Sequence, residues 1–126
     1  VGADVLIGVS GPGLAKAKDI ELMAPRAIVF ALANPTPEIM PDEAKKGGAV
    51  VIATGRSDFP NQVNNSLAFP GIFRGALDNK VRKITDEMKI KAAKAIAGLI
   101  KKPTAEKILP DMFDKRVAPA VAKVIK

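Results

Sequence analysis

The sequence has no cysteine, histidine, tyrosine or tryptophan. Without Cys there is no disulfide framework and no thiolate nucleophile. Without His there is no Ser-His-Asp or Cys-His relay and no His-based metal site. Acid and base work is left to Asp, Glu and Lys, while Asn, Ser and Thr can bind and orient. Aromatics are confined to five Phe, so the core must be aliphatic. No apolar run reaches membrane-spanning length and no signal peptide precedes Val1. With Cys absent, a reducing cytoplasmic setting is the expectation, with no membrane partner. Val1 enters a strand almost at once, as at the seam of a longer or divided enzyme.

What is present is a chain of 126 residues, 48% of them hydrophobic. That is one domain at most, or part of one, and it is built to bury a core. The formal net charge is +7, which raises the question of nucleic acid. Most Lys residues fall in the last third, interleaved with acidic and apolar residues as on solvated helix faces. There is no aromatic stacking set and no zinc-finger spacing, so no nucleic-acid partner is expected.

Three short apolar runs, 3–9, 27–32 and 49–53, read as buried strands. Each ends in a turn-rich loop: Ser10-Gly11-Pro12-Gly13, Asn34-Pro35-Thr36-Pro37, and Thr54-Gly55-Arg56-Ser57-Asp58. A short helix is expected within 15–23. Another starts at Pro41, with acids early, bases late and Gly47-Gly48 as its stop. The rest reads as helical: 69–79, then a helix capped by Thr85 running to about Ile100. A short helix is expected from Pro103 to Ile108, and a final one over 111–126, bent at Pro119. Val- and Ile-rich strands separated by helices indicate α/β architecture. The expected fold is part of a doubly wound, Rossmann-like parallel sheet with right-handed crossovers, followed by carboxy-terminal helices over about 81–126. Three strands are few for such a sheet. The first would expose a pairing edge, and a preceding half is expected beside it.

In an open parallel sheet, ligands bind beyond the carboxyl ends of the strands. All three exits here are rich in Gly, Ser, Asn and Thr, and three in series favour a ligand crevice over plain turn chemistry. Neither a nucleophile elbow, a dinucleotide fingerprint nor a P-loop is complete. The segment Phe59-Pro60-Asn61-Gln62-Val63-Asn64-Asn65-Ser66 supplies amides that either form turns and caps or bind a polar ligand. Asn34, Asn64 and Asn65 could converge on a carboxylate or hydroxyl. Amides do not neutralise its charge, so a cation must come from elsewhere.

Three blocks resemble the malic enzyme family. They are Ala31-Leu32-Ala33-Asn34-Pro35-Thr36-Pro37-Glu38-Ile39, the stretch from Ala53 through Asp58-Phe59-Pro60-Asn61-Gln62-Val63-Asn64-Asn65, and Phe69-Pro70-Gly71-Ile72-Phe73-Arg74-Gly75-Ala76-Leu77-Asp78. The likeness runs from about Asp4 to about Ile100, and is loose beyond. It implies the carboxy-terminal part of a cofactor-binding domain, of bacterial or archaeal type. It further implies oxidative decarboxylation of malate to pyruvate and CO2 with reduction of NAD or NADP, and dependence on Mg2+ or Mn2+. By resemblance, Asn34 and Asn65 would contact malate. Gly8, Val9, Ser10, Asn34 and Asn64 would line the cofactor. Arg56 and Asp58 lie in the same loop without an assigned role.

The family's general-acid Tyr, general-base Lys, metal-binding carboxylates and first Gly-rich loop match nothing here, and are expected in a preceding half. The resemblance implies no catalytic residue and no metal ligand within this chain, which alone should be inactive. Expected partners are malate or pyruvate, the remainder of a malic enzyme chain, and a second copy in a homo-oligomer. Two other readings compete. One is a non-catalytic cofactor-binding or assembly module with structural Asn loops; the other is a different NAD-dependent dehydrogenase.

Overall fold

The computed structural model describes residues 1–126. Strands β1 (Val5–Gly8), β2 (Ile28–Ala31) and β3 (Val51–Thr54) alternate with helices α1 (Ala17–Glu21) and α2 (Pro41–Lys46). A 3-10 turn (Asn65–Leu67) leads to α3 (Phe69–Asp78), α4 (Asp86–Ala97) and α5 (Val117–Ala122). The sheet order is β1-β2-β3, all parallel, with Gly8 level with Ala31 and Ala31 level with Thr54. The expected α/β class and three-strand parallel sheet are present, and α3 and α4 fall within the stretches read as helical.

Two compact units form, each with its own core. The first comprises Val1–Val63 and Thr104–Glu106. Ile20 of α1, Val29 and Ala31 of β2, and Ile39, Ala44 and Ala49 around α2 bury together, with Leu6 and Ile52 packed on them. Helix α2 follows its sequence signals closely. Pro41 sits in its first turn, Asp42 and Glu43 precede Lys45 and Lys46, and Gly48 adopts φ +95° just beyond its end. The Glu43 carboxylate also accepts from the Ala17 amide at 3.3 Å, joining α2 to the start of α1.

The second unit comprises Asn64–Pro103 and Lys107–Lys126. Leu67, Ala92, Ile96, Val117, Val121 and Ile125 form its core. Thr85 caps α4, its hydroxyl accepting from the Met88 amide at 3.2 Å. Gly71 and Gly75 put the bare backbone of α3 against α5. A Cβ on Gly71 would lie 2.5 Å from that of Val121.

Three sequence expectations need correction. First, β1 is not buried in this chain: it forms a sheet edge, and Val5 and Ile7 are 47% and 62% exposed. Only its Leu6 face packs on the core. Second, no helix forms over 103–108. Pro103 and Pro110 bracket too few residues to repay helix nucleation, and the Ala105 carbonyl instead accepts from Asn61. Third, the last helix is confined to Val117–Ala122, with Pro119 in its first turn. Asp111 and Asp114 accept from the amides of Phe113 (2.8 Å) and Arg116 (3.0 Å). Such local turns compete with helix for the same backbone donors.

Candidate functional site

The exits of β1 and β2 lie side by side, as the parallel register requires. Gly8 ends β1, and Val9 and Ser10 follow it at the surface, Val9 being 78% exposed. Asn34 stands exposed just past β2, ahead of a cis Asn34–Pro35 bond. A hollow of about 240 Å³ opens here, lined by Gly8, Ser10, Leu14, Phe30 and Glu38 among others.

Glu38 organises these exits, and no role was read for it from the sequence. It is only 4% exposed. Its Oε1 accepts from the Ser10 amide at 2.7 Å and from the Ser10 hydroxyl at 3.3 Å, and its Oε2 from the Ala33 amide at 3.0 Å. Burial alone would push the carboxyl up. The amides of Ser10 and Ala33 outweigh burial and hold it below the ordinary carboxylate value. Gly8 is glycine for the same reason: a Cβ there would lie 2.6 Å from the Glu38 carboxyl carbon. The available signal was a lone acid between Pro37 and Ile39 in an otherwise neutral block.

The loop residues sort differently from their composition. Asn61 is structural: its amide nitrogen donates to the carbonyls of Ile52 (2.9 Å) and Ala105 (2.8 Å), and its φ is +57°. Gln62 donates to the Gly55 carbonyl at 3.3 Å. Arg56 and Asp58 answer one another in a bidentate pair at 2.8 and 2.7 Å, with the guanidinium 5.5 Å from the Phe59 ring centroid. That pairing lowers the Asp58 carboxyl, the Arg56 hydrogen bond being the larger cause.

In the helical unit, Asn64 caps the 3-10 turn, its Oδ1 accepting from the Ser66 amide at 2.9 Å. That use leaves the N–H donors of exposed Asn64 for another group. Asn65, the first residue of the turn, is exposed. Asn34 belongs to the sheet unit, and Asn64 and Asn65 to the helical one.

A larger hollow of about 360 Å³ beside β3 contains none of the residues assigned to a ligand from sequence. No three Asp or Glu side chains gather as a metal-binding group. The polar side chains at these exits are amides, the Ser10 hydroxyl and one carboxylate already held by two backbone amides. The exits offer apolar Val9 and Leu14 (78% and 69% exposed) next to a polar floor, where ligands of open parallel sheets bind. No helix is long and apolar enough to cross a membrane.

The family model for the malic enzyme NAD-binding domain matches residues 1–125. The chain is 58% identical to the bifunctional malic/malolactic enzyme of Bacillus subtilis over 99% of its own length and 31% of the relative's. It is 52% identical to an NAD-dependent malic enzyme of Geobacillus stearothermophilus, covering 98% of this chain and 26% of that one. An NADP-dependent malic enzyme of Halomonas elongata is 50% identical over 90% of this chain and 27% of its own. Among solved structures, the malic enzyme of Pyrococcus horikoshii superposes with a TM-score of 0.92 at 56% identity, over 98% of this chain and 29% of that one. The chain thus spans about a quarter to a third of the length of these relatives. It belongs to the malic enzyme family, matching that family's NAD-binding domain.

Proposed function

We propose that this chain forms the carboxy-terminal part of a Rossmann-type cofactor domain, with its helical tail over about 81–126. In this reading it serves the oxidative decarboxylation of malate to pyruvate and CO2 with reduction of NAD or NADP. The paired exits of β1 and β2, tied together by Glu38 under an open hollow, are the observation that carries the reading. Gly8, Val9 and Ser10 line the cofactor, with Asn34 and Asn64 contributing amides. Asn34 and Asn65 each supply a contact to malate.

When bound, NAD or NADP would supply the hydride acceptor, held by Gly8, Val9, Ser10, Asn34 and Asn64. The chain's own part is to bind and orient. Neutral amides hold a carboxylate or hydroxyl by hydrogen bonds without cancelling charge, so the neutralising cation belongs outside these residues. The same holds for acid and base groups and for the ligands of Mg2+ or Mn2+. The remainder of a malic enzyme chain is the partner this requires, in a soluble, cytoplasmic homo-oligomer. Relatives named for NAD and for NADP both match, and both cofactors remain in the proposal.

Amide-resolved NMR of the labelled chain, assembled with the remainder of a malic enzyme chain and titrated with NAD, NADP and then malate, tests the reading. Cofactor should shift Gly8, Val9, Ser10, Asn34 and Asn64; malate should shift Asn34 and Asn65. Absence of all cofactor shifts would favour the second reading, a non-catalytic assembly module. That reading draws on the uncovered edge of β1, where Val5 and Ile7 lie exposed.

A further inference from the structure

We infer that Glu38 is a positioning residue that couples the cofactor loop to the loop carrying Asn34, through one carboxylate oxygen on each. The inference rests on the cofactor and malate reading for its purpose, but its geometry stands apart from it.

The two loops have different covalent origins. One leaves β1 and runs from Ser10 to Ala15; the other leaves β2 and turns through Asn34-Pro35-Thr36. Segment 37–38 fastens both. The Pro37 carbonyl accepts from the Gly13 amide at 3.2 Å, and the Glu38 carbonyl from the Ala15 amide at 3.1 Å. These hold the far end of the first loop. Glu38 Oε1 holds its near end at the Ser10 amide, 2.7 Å. Oε2 reaches the other way, to the Ala33 amide at 3.0 Å, and closes the turn that displays Asn34. Neither oxygen is interchangeable with an amide nitrogen, because both partners are N–H donors.

Chemistry explains why a carboxylate occupies the position. A buried acid held by amides costs desolvation, and a neutral acceptor would avoid that cost. A Gln side chain has one acceptor oxygen, however, whereas the two loops meet separate oxygens here, so its NH2 would face one of the two amides. A protonated carboxyl has the same defect. The ionised acid presents an acceptor oxygen to each loop and sets no N–H or O–H against either amide. Gly8 completes the arrangement by leaving the space that the Glu38 carboxyl fills. Movement of one loop on ligand binding is therefore transmitted to the other through a single rigid group.

The test is amide-resolved NMR on the 126-residue chain, first without ligand. The Ser10 and Ala33 amide protons should titrate together with acid, with one common midpoint below that of an ordinary Glu. Separate midpoints, or a response at only one of the two, overturn the coupling without any variant being needed. NAD is then added to the native chain and to Glu38→Gln, each assembled with the remainder of the malic enzyme chain that the reading requires. In the native chain, Ser10 and Asn34 should shift along one binding curve. In E38Q the Asn34 shift should be lost, and NAD affinity should fall roughly tenfold, the scale of one charge-assisted hydrogen bond. An E38Q chain that remains folded and binds NAD with unchanged Asn34 shifts overturns the inference. A native chain that shows the common acid titration but no NAD shift overturns the cofactor reading and leaves the tie itself standing.

Discussion

The carboxyl of Glu38 lies where a side chain on Gly8 would have to go, 2.6 Å from the ideal Cβ position. Gly8→Ala therefore cannot be accommodated by moving a free surface group, because Glu38 is buried and held by the Ser10 and Ala33 amides. Overpacking of this kind costs about 1–3 kcal/mol. A lower urea midpoint with the same slope is expected, and the Ser10 amide should lose protection from hydrogen exchange. An unchanged midpoint would mean that Glu38 swings aside freely.

Gly75 sets two opposed magnitudes against one another. In an open helix, Gly→Ala gains about 1 kcal/mol from propensity. At Gly75 the new Cβ would approach the Ala122 carbonyl oxygen to 2.5 Å and the Ile125 Cβ to 2.7 Å. The first is backbone and cannot rotate away, so α3 and α5 must separate and the overpacking cost wins. Net destabilisation of up to about 2 kcal/mol is expected by the same reckoning. Gly98, just past α4, is the control: its φ is −64° and its nearest contact is 3.2 Å away. Alanine there should be neutral or mildly stabilising in thermal unfolding.

The contrast between these glycines marks how far sequence carries. The strands were legible because Val- and Ile-rich runs stop at turn residues, and α2 because Pro41 and Gly47-Gly48 bracket it. Thr85 was legible as a cap because its use is local. Glu38 was not, since one of its two partners, Ser10, lies 28 residues away and its meaning depends on the parallel register of β1 and β2. The final helix was overextended because periodicity does not register that Asp111 and Asp114 each capture a backbone amide. Asn34, Asn64 and Asn65 do sit exposed at loop positions. Asn61, from the same amide-rich segment, turned inward.

Asn61 therefore makes a structural prediction in place of a ligand one. Its amide nitrogen satisfies the carbonyls of Ile52 and Ala105, and Asn tolerates its positive φ better than most residues. Asn61→Ala removes both bonds and leaves acceptors with reduced partnering, at about 2–3 kcal/mol. Asn61→Asp should be worse at neutral pH, since an anion would face two carbonyl oxygens. Limited proteolysis should then cut within Thr104–Glu106, while amides of the helical unit keep their native shifts. Native protection of Thr104–Glu106 in N61A would show that the segment is held by other means.

Acid should weaken the two units through different carboxylates. Glu38 has a folded value below its ordinary 4.5. Between those values the unfolded chain binds more protons than the folded one, so stability rises with pH there. Its contribution is whole above about pH 4.5 and drains away as pH falls through the folded value. Asp114, in the helical unit, is lowered further, to about 2, chiefly by its side-chain hydrogen bond with Arg116. Its contribution persists until more acidic conditions and is modest, because the pair meets solvent. Amide exchange followed from about pH 6 down to about pH 3 should then show the Ser10 and Ala33 amides losing protection as Glu38 takes up its proton. Glu38→Gln should flatten the acid limb for the sheet unit alone, at lower overall stability. Asp114→Asn should leave that limb intact. If E38Q retains the native pH slope at Ser10 and Ala33, the proton responsible is held elsewhere and the acid sensitivity of these loops does not belong to Glu38.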